Sequence, residues 1–342
     1  MSDDDLDSTA KFDRDELVRG WREYEASQPH YIPVVKFAAK TDMGQVRENN
    51  EDKFDFYEPE RPELLAHRGC FYAVADGIGG ALAGQIASEM MLKNVISGYY
   101  DSPAADLQTA MHESIVQAND RIYNLAQMIP ERSGMGTTLV GAILIEDRAI
   151  IAQVGDSRAY LVRDGQIFPI THDHSWVEEQ VRAGLMRRED AEMSPFRNVI
   201  TRSIGAAPQV VPDFYEERAV PGDIWVLCSD GLTGHVRDEE ILRIANGQAP
   251  SEVARQLIEL ANARGGRDNI TVFVISIRDI QVAGVNASIA TAVTNAPPAP
   301  ASSNSNGHSN GYVGAEPVLP SGNETTPDSP EARGGWRKLF GR

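Results

Sequence analysis

The chain has little positive charge, few cysteines and no long apolar run, and each shortage argues against a class of protein. Against 50 Asp and Glu there are only 32 Lys and Arg, giving a net charge of −18. Because nucleic-acid-binding surfaces are normally basic, we expect no nucleic-acid partner. The two cysteines, Cys70 and Cys228, lie in apolar stretches. We therefore expect reduced core residues and a reducing cytoplasm.

No stretch of the sequence is apolar for long enough to cross a bilayer, so we expect no transmembrane segment. The acidic residues 1–5 are the opposite of the basic start of a signal peptide. The sequence also lacks a Gly-x-x-x-x-Gly-Lys-[Ser/Thr] loop, which argues against an NTPase. These absences predict a cytoplasmic protein, which we expect to be monomeric.

Aspartates stand where apolar runs begin or end. Residues 70–75 form an apolar run that stops at Asp76, directly before a glycine-rich turn. Such a run is typical of a buried strand, and a strand end holds a side chain rigidly. Three further aspartates adjoin runs of this kind: Asp156, Asp230 and Asp268. Turn chemistry is the alternative for each one taken alone, since Asp beside Gly is a favoured turn pair.

Together with the pair Glu51 and Asp52, these aspartates are better explained as one acidic cluster. Like charges in one site raise each other's pKa values unless a cation neutralises them. Carboxylates without a Cys and His framework favour hard ions, so we expect Mg²⁺ or Mn²⁺. Two such ions bind phosphate oxygens and generate hydroxide at neutral pH. The cluster therefore predicts metal-assisted hydrolysis of a phosphate ester.

Seven motifs, in this order, carry a resemblance to a known family. They are TDMG at 41–44 with Arg47 and NED at 50–52, ADGIGG at 75–80, GMGTT at 134–138, GDSR at 155–158, THDHS at 171–175, CSDGL at 228–232 and GRDNITV at 266–272. In identity, order and spacing they resemble the metal-dependent protein serine/threonine phosphatases of the PP2C (PPM) family, bacterial branch. The resemblance implies hydrolysis of phosphoserine and phosphothreonine in proteins, opposing bacterial Ser/Thr kinases.

Residue roles follow from this resemblance. It implies that Asp76 bridges two metal ions, and that Asp156 belongs to a third, weaker site shared with Asp230. The full set of implied metal ligands is Asp52, Asp76, the backbone carbonyl of Gly77, Asp156, Asp230 and Asp268. Arg47 would bind the substrate phosphate through its planar fork of donors, and Glu51 would orient the attacking water. Asp42 and Asn269 would hold the metal ligands in place. The alternative is that their side chains only stabilise a turn or cap a helix N-terminus.

One position departs from the family pattern. Many eukaryotic members have a histidine that protonates the leaving group where this chain has Ile78, and an aliphatic side chain cannot act as an acid. The leaving group would then take its proton from a metal-bound water or from another residue. His174 is the candidate residue, against the alternative that it satisfies backbone groups. A serine hydrolase at Ser157 would also need a base histidine oriented by an acid, and no such signature follows in the sequence. Two other functions remain as alternatives: a phosphatase of small phosphoesters, and a silent scaffold that binds phosphoproteins or kinases. The scaffold requires broken metal positions, and none is broken.

Apolar periodicity predicts helices but leaves α/β and α+β open. Leu107 to Leu125 carries one apolar stripe, another helix follows the Asp76 turn, and Ser251 is the expected N-cap of a third. The resemblance implies an α+β fold, a four-layer αββα sandwich of two antiparallel sheets flanked by helices, with the metals at one end.

Composition divides the chain into three parts. Residues 1–34 form an acidic extension without an assigned role. The resemblance implies a phosphatase domain at residues 35–279, with a flap at about 171–208 that shapes substrate access, and a rigid excursion is the alternative to the flap. Residues 280–342 are rich in Pro, Ser, Asn and Gly, and this composition predicts a disordered tail. Its basic and aromatic tip, residues 333–342, predicts weak contact with a membrane surface or an acidic partner, with an inert tail as the alternative.

Overall fold

Two antiparallel sheets form the centre of the part of the chain that the computed structural model describes, residues 29–132 and 134–282. The strands are β1 (Tyr31–Asp42), β2 (Lys53–Tyr57), β3 (Cys70–Ala75), β4 (Gly77–Ile78), β5 (Gly136–Thr137), β6 (Leu139–Ile145), β7 (Arg148–Val154), β8 (Arg158–Arg163), β9 (Gln166–Pro169), β10 (Asp213–Arg218), β11 (Ile224–Cys228) and β12 (Ile270–Val282). One 5-stranded sheet has the order β1-β12-β11-β8-β9, the other the order β10-β7-β6-β3-β2, and β4 pairs with β5.

Helices cover the outer faces of both sheets. They are α1 (Pro62–Arg68), α2 (Ala81–Asp101), α3 (Leu107–Met128), α4 (Trp176–Arg182), α5 (Arg188–Glu192), α6 (Asp230–Thr233), α7 (Asp238–Ala245) and α8 (Pro250–Ala263), with a short 3-10 turn at Pro130–Arg132. Helices α4 and α5 lie in the predicted flap, 171–208. In the described part of the chain, no helix is long and apolar enough to cross a membrane.

Three apolar cores separate the layers. Between the two sheets lie fully buried aromatic side chains, among them Tyr72, Trp225 and Phe273. Helices α2 and α3 pack on the β7-β6-β3 face in a second core, and α7 and α8 pack on the β8-β11-β12 face in a third. The order helix, sheet, sheet, helix confirms the predicted α+β sandwich.

The apolar stripe of α3 is buried as predicted, and the helix begins where Asp106 Oδ2 accepts a hydrogen bond from the Thr109 backbone N at 2.7 Å. The expected N-cap of α8 was wrong. That helix begins at Pro250, and Ala249 is its N-cap. Proline fits the first helical position because its φ is already helical and the N–H that it lacks has no helical partner there.

Strand pairing brings together the strand ends next to which the predicted metal ligands lie. In the first sheet, Asp42 at the end of β1 pairs with Ile270 at the start of β12, and Cys228 at the end of β11 pairs with Val272. In the second sheet, Lys53 at the start of β2 pairs with Ala75 at the end of β3. Antiparallel register therefore gathers the residues that adjoin these ends at one end of each sheet.

The strands extend slightly beyond the predicted domain, since Tyr31 of β1 pairs with Val282 of β12. The domain bounds 35–279 stay a prediction. Most of the acidic extension 1–34 and nearly all of the tail 280–342, including its basic and aromatic tip, lie outside the described residues.

Candidate metal centre

Five buried or half-buried aspartates lie near each other where the strand ends meet. Burial raises the pKa of Asp76 well above its ordinary value, and repulsion from Asp52, Asp230, Asp156 and Asp268 raises it further. Burial likewise raises the pKa values of Asp52 and Asp230 to about 6, and that of Asp156 above its ordinary range. These shifts place the five aspartates within electrostatic reach of one another, and their role as metal ligands stays a prediction.

Three carboxylate oxygens of this cluster are free to bind a cation. The Oδ1 atoms of Asp52, Asp156 and Asp230 are buried and have no hydrogen-bond partner among the described residues. A buried, unpaired carboxylate oxygen is costly unless a cation contacts it. No three Asp, Glu, His or Cys side chains of residues 29–132 and 134–282 already have the spacing of a metal site. The fit of a hard cation therefore rests on these oxygens and on the concentrated negative charge.

Ser229 holds Asp52 in its orientation. Its hydroxyl is fully buried, donates to Asp52 Oδ2 at 2.7 Å and accepts the backbone N–H of Thr271 at 3.0 Å. Ser229 thus satisfies one carboxylate oxygen of Asp52, and the other, Oδ1, is the buried oxygen without a hydrogen-bond partner. The sequence analysis missed Ser229, although its place at the end of β11, next to Asp230, was a signal for it.

Replacing Ser229 with alanine is expected to weaken Mn²⁺ binding roughly tenfold, the lower end of the usual loss when a group behind a metal ligand is removed. Titration calorimetry on the full chain measures this directly. Ser114 is the matched control, because its buried hydroxyl donates to Ala110 O inside α3, remote in the fold from the cluster. Equal Mn²⁺ affinity in wild type and Ser229→Ala would remove Ser229 from the centre.

Two threonines fix the turn that carries Asp76. The Asp76 backbone N donates to Thr138 Oγ1 at 2.9 Å, and Thr137 Oγ1 donates to the Asp76 carbonyl at 2.8 Å. The hydroxyls of Thr138 and Ser157 share a buried hydrogen bond of 2.7 Å. Ser157 is therefore occupied in supporting this turn, and the serine hydrolase alternative has no accessible nucleophile.

Gly77 and Glu51 meet the first turn of α2. A Cβ at position 77 would lie 2.3 Å from the Gly84 carbonyl and 2.8 Å from the Glu51 carbonyl, so only glycine fits. A Cβ at position 84 would lie 1.9 Å from Glu51 Oε2. The buried Glu51 carboxylate thus packs beside the positive end of the α2 dipole.

Arg47 reaches the cluster through Asp268. Its Nη2 donates to Asp268 Oδ2 at 2.7 Å, and this hydrogen bond raises the pKa of Arg47. Both side chains are partly exposed, so the pair contributes little to stability. A cation held by the acidic cluster would attract an anion. The exposed guanidinium of Arg47, beside the cluster, is positioned to donate hydrogen bonds to that anion.

Asn269 and Asp42 support the loops around the cluster. Asn269 accepts from the Glu51 backbone N at 2.8 Å and donates to the carbonyls of Asn49 and Met43 at 2.8 and 3.0 Å. It thereby holds the loop that carries Glu51. Asp42 accepts hydrogen bonds from the Gly44 backbone N and from the Asn262 side chain, both at 3.0 Å. These bonds stabilise the turn that follows β1.

His174, the candidate proton donor, has both ring nitrogens engaged. Nδ1 accepts from the Gly155 backbone N at 3.0 Å, and Nε2 lies 3.2 Å from Asp213 Oδ2 and 3.1 Å from Arg202 Nη1. Burial, and then the charge of Arg202, lowers the pKa of His174. These contacts fit a neutral imidazole ring that links the Asp156 loop to β10 better than they fit a general acid. The structural alternative for His174 is therefore favoured.

Comparisons with known proteins identify the family of this chain. The family model "Protein phosphatase 2C" matches residues 39–183. A putative protein phosphatase 2C-type protein of Streptococcus pyogenes is 40% identical over 245 residues, covering 70% of this chain and 97% of that relative. This chain belongs to the protein phosphatase 2C family.

Other members of the family extend the match. The serine/threonine protein phosphatase PstP of Mycobacterium tuberculosis is 36% identical over 76% of this chain, which spans only 48% of that longer relative. A solved structure of the S. agalactiae serine/threonine phosphatase superposes with a TM-score of 0.66 at 37% identity, covering 72% of this chain and 100% of the other. The catalytic domain of a PstP in complex with two manganese ions gives a TM-score of 0.62 at 35% identity, covering 72% and 100%.

Proposed function

We propose that this chain is a Mn²⁺- or Mg²⁺-dependent protein phosphatase that hydrolyses phosphoserine and phosphothreonine in proteins. The observation that carries the proposal is the buried aspartate cluster with three unpaired oxygens, at the strand ends where the PP2C motifs meet. Relatives named as serine/threonine phosphatases, one of them solved with two manganese ions, support the same activity.

In this proposal the cations are held by Asp76, Asp52, the Gly77 carbonyl, Asp230 and Asp268, with Asp156 and Asp230 holding a third, weaker one. Cations bound there lower the pKa of water and offset the charge of the phosphate. Arg47 binds the phosphate oxygens, and Glu51 orients the attacking water. Thr138 and Ser229 keep the carboxylates of Asp76 and Asp52 in place, through the contacts described above.

The leaving group takes its proton from solvent in this proposal. Ile78 carries no proton to give, and His174 uses both ring nitrogens elsewhere.

The deciding experiment is phosphate release from a phosphothreonine peptide by the full chain, first with Mn²⁺ and then with excess chelator. We expect release with Mn²⁺ and none with chelator. Peptide binding without release would favour the silent scaffold. Hydrolysis of a small phosphoester without hydrolysis of the peptide would favour the small-substrate phosphatase.

Replacing Arg47 with alanine is expected to raise KM and weaken inhibition by inorganic phosphate, while Mn²⁺ affinity stays almost unchanged. The reason is that phosphate binding in both ground and transition states is lost. Steady-state kinetics and calorimetry measure the two effects separately. Arg148 is a matched control, since it also forms a partly exposed ion pair, with Glu216 at 3.2 Å. A collapse of Mn²⁺ affinity in Arg47→Ala would assign Arg47 to the acidic cluster instead.

We further propose that the enzyme opposes Ser/Thr kinases and acts as a cytoplasmic monomer. Its substrates are then phosphorylated proteins, with no nucleic-acid partner. The unpaired cysteines Cys70 and Cys228 support a reducing compartment. Weak contact of the tip of the tail with a membrane surface or an acidic partner stays a prediction.

A further inference from the structure

The turn that follows β1 exposes two apolar side chains directly beside Arg47. Val46 is 65% exposed and Met43 is 43% exposed. A single exposed apolar residue needs no explanation. Two of them on one turn, next to a residue proposed to bind phosphate, call for one, because the remainder of this turn is polar or glycine.

Hydrogen bonds hold the backbone of this turn. Gln45 N donates to the Gly266 carbonyl at 2.7 Å. Asn269 Nδ2 donates to the Met43 carbonyl at 3.0 Å, and Gly44 N donates to Asp42 Oδ1 at 3.0 Å. At Gly44, φ is +80° and a Cβ would lie 2.2 Å from the Asp268 carbonyl, so the turn also packs closely on the loop that carries Asp268. The apolar side chains therefore project from a fixed backbone.

Chain geometry places this surface next to the phosphate. Val46 precedes Arg47, whose Nη2 lies 2.7 Å from Asp268 Oδ2 at the rim of the acidic cluster. Neighbouring residues of any chain have Cα atoms about 3.8 Å apart. Met43 lies three residues before Val46 on the same turn. A substrate peptide whose phosphate meets Arg47 therefore passes beside this turn.

We propose that Met43 and Val46 form an apolar shelf that binds an apolar side chain next to the phosphorylated residue of the substrate. The inference rests on the proposed protein phosphatase function and specifies its substrate class. Covering both side chains removes apolar surface from water, which favours binding. The fixed backbone adds to this, because little conformational freedom is lost when the shelf is covered.

The test compares two phosphothreonine peptides that differ only beside the phosphothreonine, with leucine on both sides or glycine on both sides. With Mn²⁺ and the full chain, kcat/KM is expected to be roughly five- to tenfold higher for the leucine peptide, the discrimination expected from a partly covered apolar contact. In Val46→Thr and in Met43→Gln this ratio should fall towards one. Both positions are exposed, so neither substitution removes a buried contact.

Val282→Thr is the matched control. Val282 is a 54% exposed valine at the end of β12 that is farthest along the strand from Asp268. This variant should keep the wild-type preference for the leucine peptide.

The two proposals fail in different ways. If wild type hydrolyses both peptides equally well, or if Val46→Thr and Met43→Gln keep the full preference, the shelf is wrong and the phosphatase stands. If wild type with Mn²⁺ hydrolyses neither peptide, the phosphatase proposal is overturned and the shelf with it.

Discussion

Replacing Asp76 with asparagine is expected to lower turnover at least about a hundredfold, even at saturating Mn²⁺. Asp76 is the carboxylate on which the charges of Asp52, Asp230, Asp156 and Asp268 all act, so it lies at the centre of the cluster. An amide has the same shape but lacks the negative charge with which Asp76 would hold the cations. The measurement is kcat for a phosphothreonine peptide across a Mn²⁺ titration.

The substitution tests the side chain alone, since the backbone N and O of Asp76 keep their bonds to Thr138 and Thr137. Asp164→Asn is the control. Asp164 lies in the turn between β8 and β9 with φ of 51°, a conformation that asparagine also adopts readily. Near-normal turnover of Asp76→Asn at saturating Mn²⁺ would contradict the two-metal proposal.

The strand ends could be predicted from sequence because each carries a local signal. The apolar runs before Asp76 and Asp230 have the length and composition of buried strands, and the structure has β3 and β11 there. The long helix α3 likewise carries its apolar stripe within one continuous segment. The layer order, in contrast, came from the family resemblance, because periodicity does not specify how sheets stack.

The supporting contacts could not be predicted from local patterns. Ser229 and Asp52 are 177 positions apart in sequence, and Arg47 and Asp268 are 221 apart. Such pairs depend on strand register, which gathers distant ends only once the sheets have formed. The N-cap of α8 failed for a local reason, since serine and proline are both favoured at helix starts but at different positions.

The metal-free protein is expected to lose stability as pH rises from about 4 to about 6. Burial raises the pKa values of Asp52 and Asp230 to about 6 in the folded state, whereas an unfolded aspartate titrates near 3.9. Between these values the folded protein binds more protons than the unfolded chain. Its free energy of unfolding therefore falls with rising pH in this window and stays low above it.

The expected size is large for a single carboxyl. A rise of about two pKa units for the buried Asp52 corresponds to roughly 3 kcal/mol of stability lost by neutral pH. Acids whose pKa is lowered by folding have the opposite effect on stability, and they have it at lower pH. Arg264 holds the pKa of Glu240 at about 2, so the stability from that pair is lost only at acid pH, below the cluster's window.

Scanning calorimetry of chelator-treated full chain between pH 4 and 7.5 measures the effect, with a fall in Tm of roughly 5–10 °C expected. Asp52→Asn should flatten this dependence, because the amide does not titrate. Mn²⁺ should raise Tm most at pH 7.5, where the carboxylates are charged and bind it. A metal-free Tm that is level over this range would mean that the cluster carries no repulsion for a cation to relieve.

If Tm falls as expected, Asp76→Asn should stabilise the metal-free protein while it abolishes turnover, since the charge that destabilises the fold is the charge that binds the metal.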